Sequence, residues 1–571
     1  MEALIEETFD LRLANQILQK KAQMKTIKFF VSLVALLLLY ASAADAVVRE
    51  IFPANDDASC NEEFENIAAT LQPGDTLILH GGVYSQSCRR LVTGRNGTAT
   101  QPIVIMAAPG ESPILTRPGN ASHSYPENNI EIENSSYLII RGLHFQGGDI
   151  GVRFMGTNHH ITFEENEIYE TGANALALNS GNSDFMTIRK NHIHHTGLDT
   201  SGSTVGEGMY LGCNDNACRV SNTLIEGNYI HHLRATNSGG NDGIEVKVGS
   251  YGNVVRDNVI HDTTLGTQYP CIFVYGGGAA VNTVEGNAMW NCGEAIYAVA
   301  DAIVRNNIII GSGSGISSYP HAQVAQMKKL MIINNTIYGS GECLFLRWSG
   351  VADAVLANNA VYCPGTTAVD ASGLTSTQVI ALSNYVEGGI SGASLDGVSF
   401  VNGGSANTAF ASPVNSNFWP VAGSVLRDRA NFTYSPAVDF NNGPRTNPTD
   451  VGAYDANGQL TNPGWQIQEG FKTAGGDIMA PTIAVTAPAD GSAVARKSTV
   501  TIAATANDNV GVTYVEFYVN GTLKCTDNTQ LYTCAWKIPA GARNKIYHID
   551  AKAYDTAGNI GNATTVTVTS R

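Results

Sequence analysis

The sequence is poor in charged residues, which make up 15% of its 571 positions, against about 25% in a typical soluble domain. Lys and Arg total 34 and Asp and Glu total 50, so the formal net charge is −16. Because binding to a phosphate backbone needs a basic surface, nucleic acid is not an expected partner. Proline is sparse at 19 residues and glycine abundant at 59, which excludes collagen-like and linker-dominated chains and predicts many tight turns.

The apolar run from Phe29 to Tyr40 is shorter than the roughly 20 residues of a membrane-spanning helix. It follows Lys25 and Lys28 and is followed by small residues up to Ala46, which is the pattern of a secretory signal peptide. We therefore predict a non-native N-terminal extension over residues 1–23 and a signal peptide over residues 24–46. The mature protein is expected to be a secreted monomer, extracellular or periplasmic, with no stable membrane span.

The cysteines include no Cys-x-x-Cys motif, so zinc and thiol-redox sites are not indicated. Their even total of ten suits disulfide bonds in an oxidising compartment. Proximity along the chain predicts five pairs: Cys60 with Cys88, Cys213 with Cys218, Cys271 with Cys292, Cys343 with Cys363, and Cys525 with Cys534.

A short repeat centred on Asn recurs through the middle of the chain. The residue three before this Asn and the residue two after it are apolar in every copy, and successive copies are 20 to 37 residues apart. This spacing favours a coil of short parallel strands, in which equivalent residues stack at about 4.8 Å and the Asn amides can hydrogen-bond along the stack. The eight anchors are Asn166, Asn191, Asn228, Asn258, Asn287, Asn307, Asn335 and Asn359.

The pattern resembles the right-handed parallel β-helix of the pectate-lyase-like superfamily, over roughly residues 60 to 400. The resemblance implies an all-β fold, with a β-helix domain over residues 47–478 that includes an N-terminal cap and a C-terminal closing segment. From about Ala480 onward, alternating strands and turns such as Asn520-Gly521 predict a β-sandwich. This segment, residues 479–571, resembles the bacterial Ig-like modules appended to secreted enzymes.

In this superfamily the strand that precedes each pair of strands around an Asn turn lines the cleft. Alternation along these strands predicts inward apolar pairs and one outward column consisting of Arg153, Ala177, Tyr210, Glu245, Phe273 and Tyr297. Two adjacent turns then gather charged and aromatic residues: Glu207, Asp242, Glu245 and Lys247, flanked by Tyr210 and Tyr275. The three longest repeats are consecutive and place long loops at the same turns, where binding is expected.

The segment from Asp242 to Lys247, followed by Gly252-Asn253, resembles a turn in one family of calcium-dependent pectate lyases. The resemblance implies that Asp242 is a calcium ligand. The next turn, Tyr269 to Phe273, lacks the acidic cluster of that family, and no Lys lies between Val248 and Met327 to match the catalytic Lys of a later turn.

These residues suit a polysaccharide lyase that acts on an acidic glycan, because β-elimination needs a base and a group that neutralises the uronate carboxylate. We predict Lys247 as the base, with Arg153, Tyr210 or a calcium ion as the neutralising group. The predicted calcium ligands are Glu207, Asp242 and Glu245, and Glu245 is also assigned to the catalytic set. The predicted substrate-binding residues are Tyr210, Tyr275, Arg347 and Trp348.

Other functions fit the same pattern. A glycoside hydrolase could use Glu207 and Asp242, which adjacent turns place about 5 Å apart, or Asp242 and Glu294, at about 9.6 Å. A uronate epimerase and a non-catalytic, adhesin-type glycan binder also remain open. The column of His194, His231 and His261 continues with aromatic residues such as Trp290, so we interpret it as structural stacking.

Overall fold

The structure, a computed structural model, describes residues 46–53, 63–85, 88–119, 124–125, 127–201, 204–236, 239–457, 481–508, 512–527, 532–541, 543–555 and 560–571. The predicted extension and signal peptide lie outside these residues, apart from Ala46. None of the helices in the described ranges is long and apolar enough to cross a membrane.

Short parallel strands coil into three stacked faces. Face A contains the strands Val48–Ile51, Thr76–Leu79, Ile103–Ala107, Leu138–Arg141, Thr162–Glu164, Thr187–Arg189, Leu224–Glu226, Val254–Arg256, Asn282–Glu285, Ala302–Arg305, Lys328–Ile333, Ala352–Ala357 and Val379–Leu382. Face B contains Gly82–Ser85, Pro113–Arg117, His144–Gly147, Glu167–Tyr169, His192–Thr196, Tyr229–Leu233, Val259–His261, Ala288–Trp290, Ile308–Ile310, Thr336–Tyr338, Ala360–Ser372, Asn384–Ser391 and Phe400–Asn402.

Face C contains Arg90–Thr93, Ile130–Glu133, Val152–Met155, Leu176–Ser180, Met209–Leu211, Ile244–Val246, Ile272–Val274, Glu294–Ala298, Ser314–Ser318 and Glu342–Arg347, and it continues on the later parts of the long strands Ala360–Ser372 and Asn384–Ser391. The strands Asn158–His159, Ser183–Asp184 and Val220–Ser221 form a small parallel sheet, and Phe410–Ser412 pairs with Asn417–Pro420 in antiparallel fashion. Short helices span Glu63–Ala68, Ala406–Ala409, Asn214–Asn216, Pro413–Asn415 and Phe432–Tyr434.

The apolar positions of the repeat fill the inside of the coil. All eight apolar residues that precede the Asn anchors by three positions are fully buried, from Phe163 to Leu356. Between the two strands of each repeat, the residue before the Asn takes a left-handed conformation, as at Asp257 with φ of 56° and Asn306 with φ of 52°. This conformation produces the sharp corner between faces A and B. The stacked parallel strands on either side of the corner confirm the predicted parallel β-helix.

The Asn ladder runs through nine turns, one more than predicted. The side-chain amide of Asn228 donates to Oδ1 of Asn258 at 2.9 Å, and Asn258 donates in the same way to Asn287 at 2.9 Å. The same contact joins every neighbouring pair from Asn166 to Asn384. Each buried amide is therefore held by the turns above and below it.

A second ladder, of alternating charge, runs along face A. The strand registers place oppositely charged side chains next to each other over seven turns. Glu164 is 2% exposed and accepts hydrogen bonds from Arg141 and, at 2.6 Å, from Arg189. Such pairs favour one strand register over its neighbours. In order, the ladder consists of Arg141, Glu164, Arg189, Glu226, Arg256, Glu285 and Arg305.

The C-terminal segment forms an antiparallel β-sandwich around its own core, as predicted. One sheet contains Thr482–Ala487, Thr499–Asn507 and Thr533–Lys537. The other contains Ala493–Val494, Val512–Val519, Thr522–Asp527, Ile546–Asp555, Ile560–Asn562 and Val566–Ser570. The buried residues between the sheets include Ile502, Phe517, Trp536 and Ile549.

Candidate active site

Face C presents the outward column that the sequence predicts. Arg153 pairs with Ala177, Ala177 with Tyr210, and Tyr210 with Glu245 in the strand register. The column continues from Glu245 through Phe273 and Tyr297. The inward residues of the same strands, such as Met209 and Ile244, are fully buried, so alternation fixes which side chains face the cleft.

Three carboxylates converge at the centre of this face. Each of Glu207, Asp242 and Glu245 offers one oxygen, and these three oxygens all lie within 4.8 Å of one another. All three residues are at most 4% exposed. Within the described part of the chain, no group donates a hydrogen bond to Oε2 of Glu207, Oδ1 of Asp242 or Oε2 of Glu245. Buried carboxylate oxygens without partners are costly, so a bound proton or a bound cation is needed to offset their burial.

Burial, and then the proximity of the carboxylates to one another, changes their protonation. Burial, reinforced by the charge of Glu245, raises the pKa of Glu207 to about 8. Burial and the charges of Glu245 and Glu207 raise the pKa of Asp242 well above its ordinary value. Without a cation, the cluster therefore holds protons at neutral pH.

Lys247 provides the positive charge next to the cluster. Its Nζ atom donates to Oε1 of Glu245 at 2.7 Å and to the hydroxyl oxygen of Tyr275 at 3.1 Å. The Tyr275 hydroxyl in turn donates to the same oxygen of Glu245 at 3.0 Å. The ammonium also lies over the rings of Tyr275 and Tyr210, at 4.4 and 5.0 Å from their centroids. Burial, and next the charge of Glu245, raises the pKa of both phenols, so both remain protonated.

An aromatic wall extends from Lys247 toward the later turns. The ring of Phe273 stacks on those of Tyr275 and Tyr297 at 4.0 and 4.4 Å, and Tyr297 stacks on Tyr319 at 4.1 Å. His321 meets the Tyr275 ring edge-on at 4.8 Å, and burial followed by the charge of Lys247 lowers its pKa. No motif predicted His321, because it lies in the irregular segment after the strand Ser314–Ser318.

Gly240 brings the main chain close to the carboxylates. A Cβ atom at this position would lie 2.8 Å from Oε1 of Glu207 and 3.1 Å from Oδ2 of Asp242. The amide of Gly206 donates to the carbonyl oxygen of Gly240 at 2.7 Å, which joins the two long loops beside the cluster. The space around the carboxylates is therefore kept open by the missing side chain.

Two predicted arginines lie outside the cluster. Arg153 is three turns from Glu245, or about 14 Å along the axis, and it donates to Oδ1 of Asn179 at 3.1 Å. Arg347 lies on a later turn of face C, where it pairs with Asp370 at 2.7 Å. Glu294, also on face C, accepts a hydrogen bond from Tyr319 at 3.4 Å.

The prediction that Trp348 binds a sugar is wrong. The side chain is fully buried, and its indole N–H donates to Oγ of Ser318 at 2.9 Å. The strand Glu342–Arg347 ends just before Trp348, and the chain turns the ring into the core of the coil, out of reach of a glycan.

The structure contains four of the five predicted disulfide bonds, joining Cys213 to Cys218, Cys271 to Cys292, Cys343 to Cys363 and Cys525 to Cys534. Cys88 is also disulfide-bonded, and its predicted partner Cys60 lies outside the described residues. The Cys213–Cys218 bond closes the loop that carries Asn214, whose side chain accepts a hydrogen bond from Tyr210 at 3.0 Å.

Comparison with protein families agrees with this architecture. Residues 105–242 match the family described as a right-handed beta helix region, and residues 481–551 match the bacterial Ig domain. Residues 201–386 match the family described as periplasmic copper-binding protein (NosD). The chain thus combines a right-handed parallel β-helix with a bacterial Ig domain.

Among solved structures, the chain is similar to an alginate lyase from Paenibacillus sp. str. FPU-7, with 21% identity and a TM-score of 0.42 over 53% of this chain and 99% of that one. It is also similar to pectate lyase Pel9A, with 16% identity and a TM-score of 0.40 over 72% and 97% of the two chains. A GH87 alpha-1,3-glucanase catalytic domain in complex with nigerose gives 14% identity and a TM-score of 0.43 over 60% and 70%. Comparison with curated protein sequences finds no match.

Proposed function

We propose that the protein is a secreted polysaccharide lyase that cleaves an acidic, uronic-acid-containing glycan by β-elimination. The observation that carries this proposal is the buried cluster on face C, where three carboxylates with unpartnered oxygens lie beside Lys247. The reaction requires a positive group for the uronate carboxylate and a base for the proton on the adjacent carbon. The four disulfide bonds in the described residues suit an oxidising compartment, which supports the predicted export.

The donor set fits calcium. Glu207, Asp242 and Glu245 contribute only oxygen atoms, which are the ligands that Ca²⁺ prefers, and their unpartnered oxygens have no other use in the described structure. These three residues would hold the ion. When bound, Ca²⁺ supplies positive charge that balances the cluster and neutralises the carboxylate of the substrate.

Lys247 is the base in this proposal. Its neutral amine takes the proton from the carbon next to the carboxylate, and a carbon–carbon double bond forms in the sugar as the bond to the glycosidic oxygen breaks. The departing oxygen takes the electron pair of that bond and a proton from solvent, and leaves as a hydroxyl group. Carboxylates beside a lysine favour its ammonium form, so the role of base requires that the charge of Glu245 is balanced. The Tyr275 hydroxyl holds the Glu245 carboxylate beside the amine, and the half-buried Tyr210 exchanges the hydrogen bond that it donates to Asn214 for one to the substrate.

The two arginines outside the cluster bind other parts of the glycan. Arg153 lies three turns before Glu245, and Arg347 lies on a turn several steps after it, so both flank the cluster along one face. A polysaccharide that runs along face C would present successive carboxylates to these side chains. This arrangement favours an acidic glycan over a neutral one.

A glycoside hydrolase is the second candidate. Its supporting observation is the pKa of Glu207, which burial raises to about 8, as a general acid requires at neutral pH. The nearest oxygens of Glu207 and Asp242 lie within 4.8 Å, close to the separation of about 5 Å in retaining enzymes.

One assay separates the candidates. The purified protein is incubated with pectate, alginate, a glycosaminoglycan and neutral glycans, with Ca²⁺ or with a chelator, and both ultraviolet absorbance of unsaturated products and new reducing ends are measured. The lyase proposal expects both signals on an acidic glycan and their loss with the chelator. Reducing ends without absorbance would establish the hydrolase instead, and neither signal on any glycan would leave only a binding function.

A further inference from the structure

Histidines are concentrated on face B, away from the carboxylate cluster. Of the 13 histidines of the chain, six lie on the successive face B strands His192–Thr196, Tyr229–Leu233 and Val259–His261. A seventh lies on the strand His144–Gly147, two turns before the first of these. Their rings stack as the column interpretation predicts: His194 on His231 at 5.2 Å, His231 on His261 at 5.1 Å, and His261 on Trp290 at 4.2 Å between ring centroids. The seven are His144, His192, His194, His195, His231, His232 and His261.

Stacking does not account for the neighbouring column. There the strand register places Glu167 between His144 and His192. His192 and His194 are two residues apart on one strand, so their side chains point to the same, outward side of face B as that of Glu167. Oxygen and nitrogen donors from Glu167, His192 and His194 all lie within 4.8 Å of one another.

We propose that Glu167, His192 and His194 form a binding site for a first-row transition-metal cation of the Zn²⁺ type. Two imidazoles and one carboxylate suit such ions, whereas the oxygen-only cluster of face C suits Ca²⁺. Oε1 of Glu167 lies 3.0 Å from Nε2 of His194 and 3.5 Å from Nδ1 of His192, so the three donors already face one point.

Each ligand is oriented by a second contact on its far side. His192 turns Nδ1 to the site while its Nε2 atom lies 2.9 Å from Nε2 of His231. His194 turns Nε2 to the site while its Nδ1 atom lies 2.7 Å from Nδ1 of His195. Oε2 of Glu167 contacts Nδ1 of His144 at 2.5 Å. Outer contacts of this kind fix the ring orientation of metal-binding histidines.

The site is open to solvent. The side chains of His192, His194 and Glu167 are 27%, 15% and 26% exposed, so an ion can enter and water can complete its coordination. A second set on the same face, His232, His261 and Asp262, is less open to solvent, because the His261 side chain is only 8% exposed. We therefore assign one ion to this face.

The test is calorimetric titration of Zn²⁺ into the metal-free full chain, in buffer with excess Ca²⁺. We expect one equivalent to bind, and about tenfold or greater loss of affinity in His194→Gln and in Glu167→Gln. The matched control is His159→Gln, which alters another adjacent-histidine pair, in which the Nδ1 atoms of His159 and His160 are 3.0 Å apart. Asp242→Asn is the second control, and both controls are expected to bind Zn²⁺ as the wild type does.

Co²⁺ provides a readout that needs no variant. Co²⁺ bound at this site should give the visible absorption bands of a coordination sphere that contains nitrogen. Added Zn²⁺ should displace the Co²⁺ ion and abolish these bands. Absence of Zn²⁺ binding, equal affinity in His194→Gln and Glu167→Gln, or loss of binding in Asp242→Asn would each overturn the assignment. The inference does not depend on the lyase proposal, because none of these measurements involves a glycan.

Discussion

The Nζ atom of Lys247 lies 2.7 Å from Oε1 of Glu245, and the two side chains are only 5% and 6% exposed. Removing one member of a buried ion pair leaves the other charge without compensation, which costs about 3–5 kcal/mol. A test of the base therefore has to preserve the positive charge, so that loss of activity is not confused with loss of the fold.

Lys247→Arg meets this requirement. The guanidinium keeps the charge beside Glu245, but with a pKa above about 12 it cannot act as a base. We expect the initial rate of unsaturated-product formation to fall by about 10²- to 10⁴-fold, with the melting temperature little changed. Lys328→Arg, on face A, is the matched control and should be fully active. A Lys247→Arg enzyme with wild-type rate would show that this residue acts as a cation only.

The carboxylate cluster predicts stabilisation by calcium. Binding to the folded state alone contributes about 2.7 kcal/mol when the ion is at 100 times its dissociation constant. We expect Ca²⁺ to raise the melting temperature of the wild type and to have little effect on Asp242→Asn. Asp149→Asn changes a half-buried Asp elsewhere on the coil and should respond as the wild type does. An equal response in Asp242→Asn would place the calcium site outside the cluster.

Gly240→Ala tests the same calcium site by filling the space for the ion, without changing the charge of the cluster. The added methyl group would lie 2.8 Å from Glu207 and 3.1 Å from Asp242, in the space that the ion needs. We expect the calcium-dependent rise in melting temperature to be lost while the metal-free protein stays folded. At Gly389 a Cβ atom would have no contact shorter than 3.4 Å, so Gly389→Ala is the control. A normal calcium response in Gly240→Ala would contradict the proposed position of the ion.

The sequence alone was sufficient to predict the coil of parallel strands. Each turn needs one buried Asn amide and an apolar residue at a fixed offset from it, so both recur along the sequence. The same offsets also predicted the column from Arg153 to Tyr297 and the convergence of Glu207 with Asp242. The alternating ladder of face A was missed although its signal is present. Its members from Glu164 to Arg305 each lie two residues before an Asn anchor, and their charges alternate in sign.

Trp348 directly follows the outward Arg347, so alternation already indicates a buried side chain, and its assignment to the glycan site departed from that period. Other features could not be predicted from spacing. His321 reaches Tyr275 from an irregular segment with no repeat to align. The site of Glu167, His192 and His194 is not visible within any single column, because its ligands come from two adjacent columns of face B.

The charge ladder predicts a pH-dependent contribution to stability. Burial raises the pKa of the Glu164 carboxyl, but the charges of Arg189 and Arg141 and the hydrogen bonds that they donate outweigh burial, so the net pKa is below its ordinary value. A lowered pKa means that the ionised carboxylate stabilises the fold above the ordinary Glu pKa of about 4.3. This stabilisation is lost as the pH falls through the lower, folded-state pKa.

Glu164→Gln should therefore destabilise the protein at neutral pH by about 1.5–3 kcal/mol, the range for hydrogen bonds to charged groups. The difference in melting temperature between wild type and variant should shrink as the pH is lowered below about 4, because the wild-type carboxyl is then protonated as well. Glu165→Gln is the matched control: its side chain is 50% exposed and lies 3.9 Å from Arg141, so its removal should change stability by less than about 1 kcal/mol. A Glu164→Gln deficit that stays constant from neutral to acid pH would mean that side-chain packing, rather than the charge between Arg141 and Arg189, accounts for the effect.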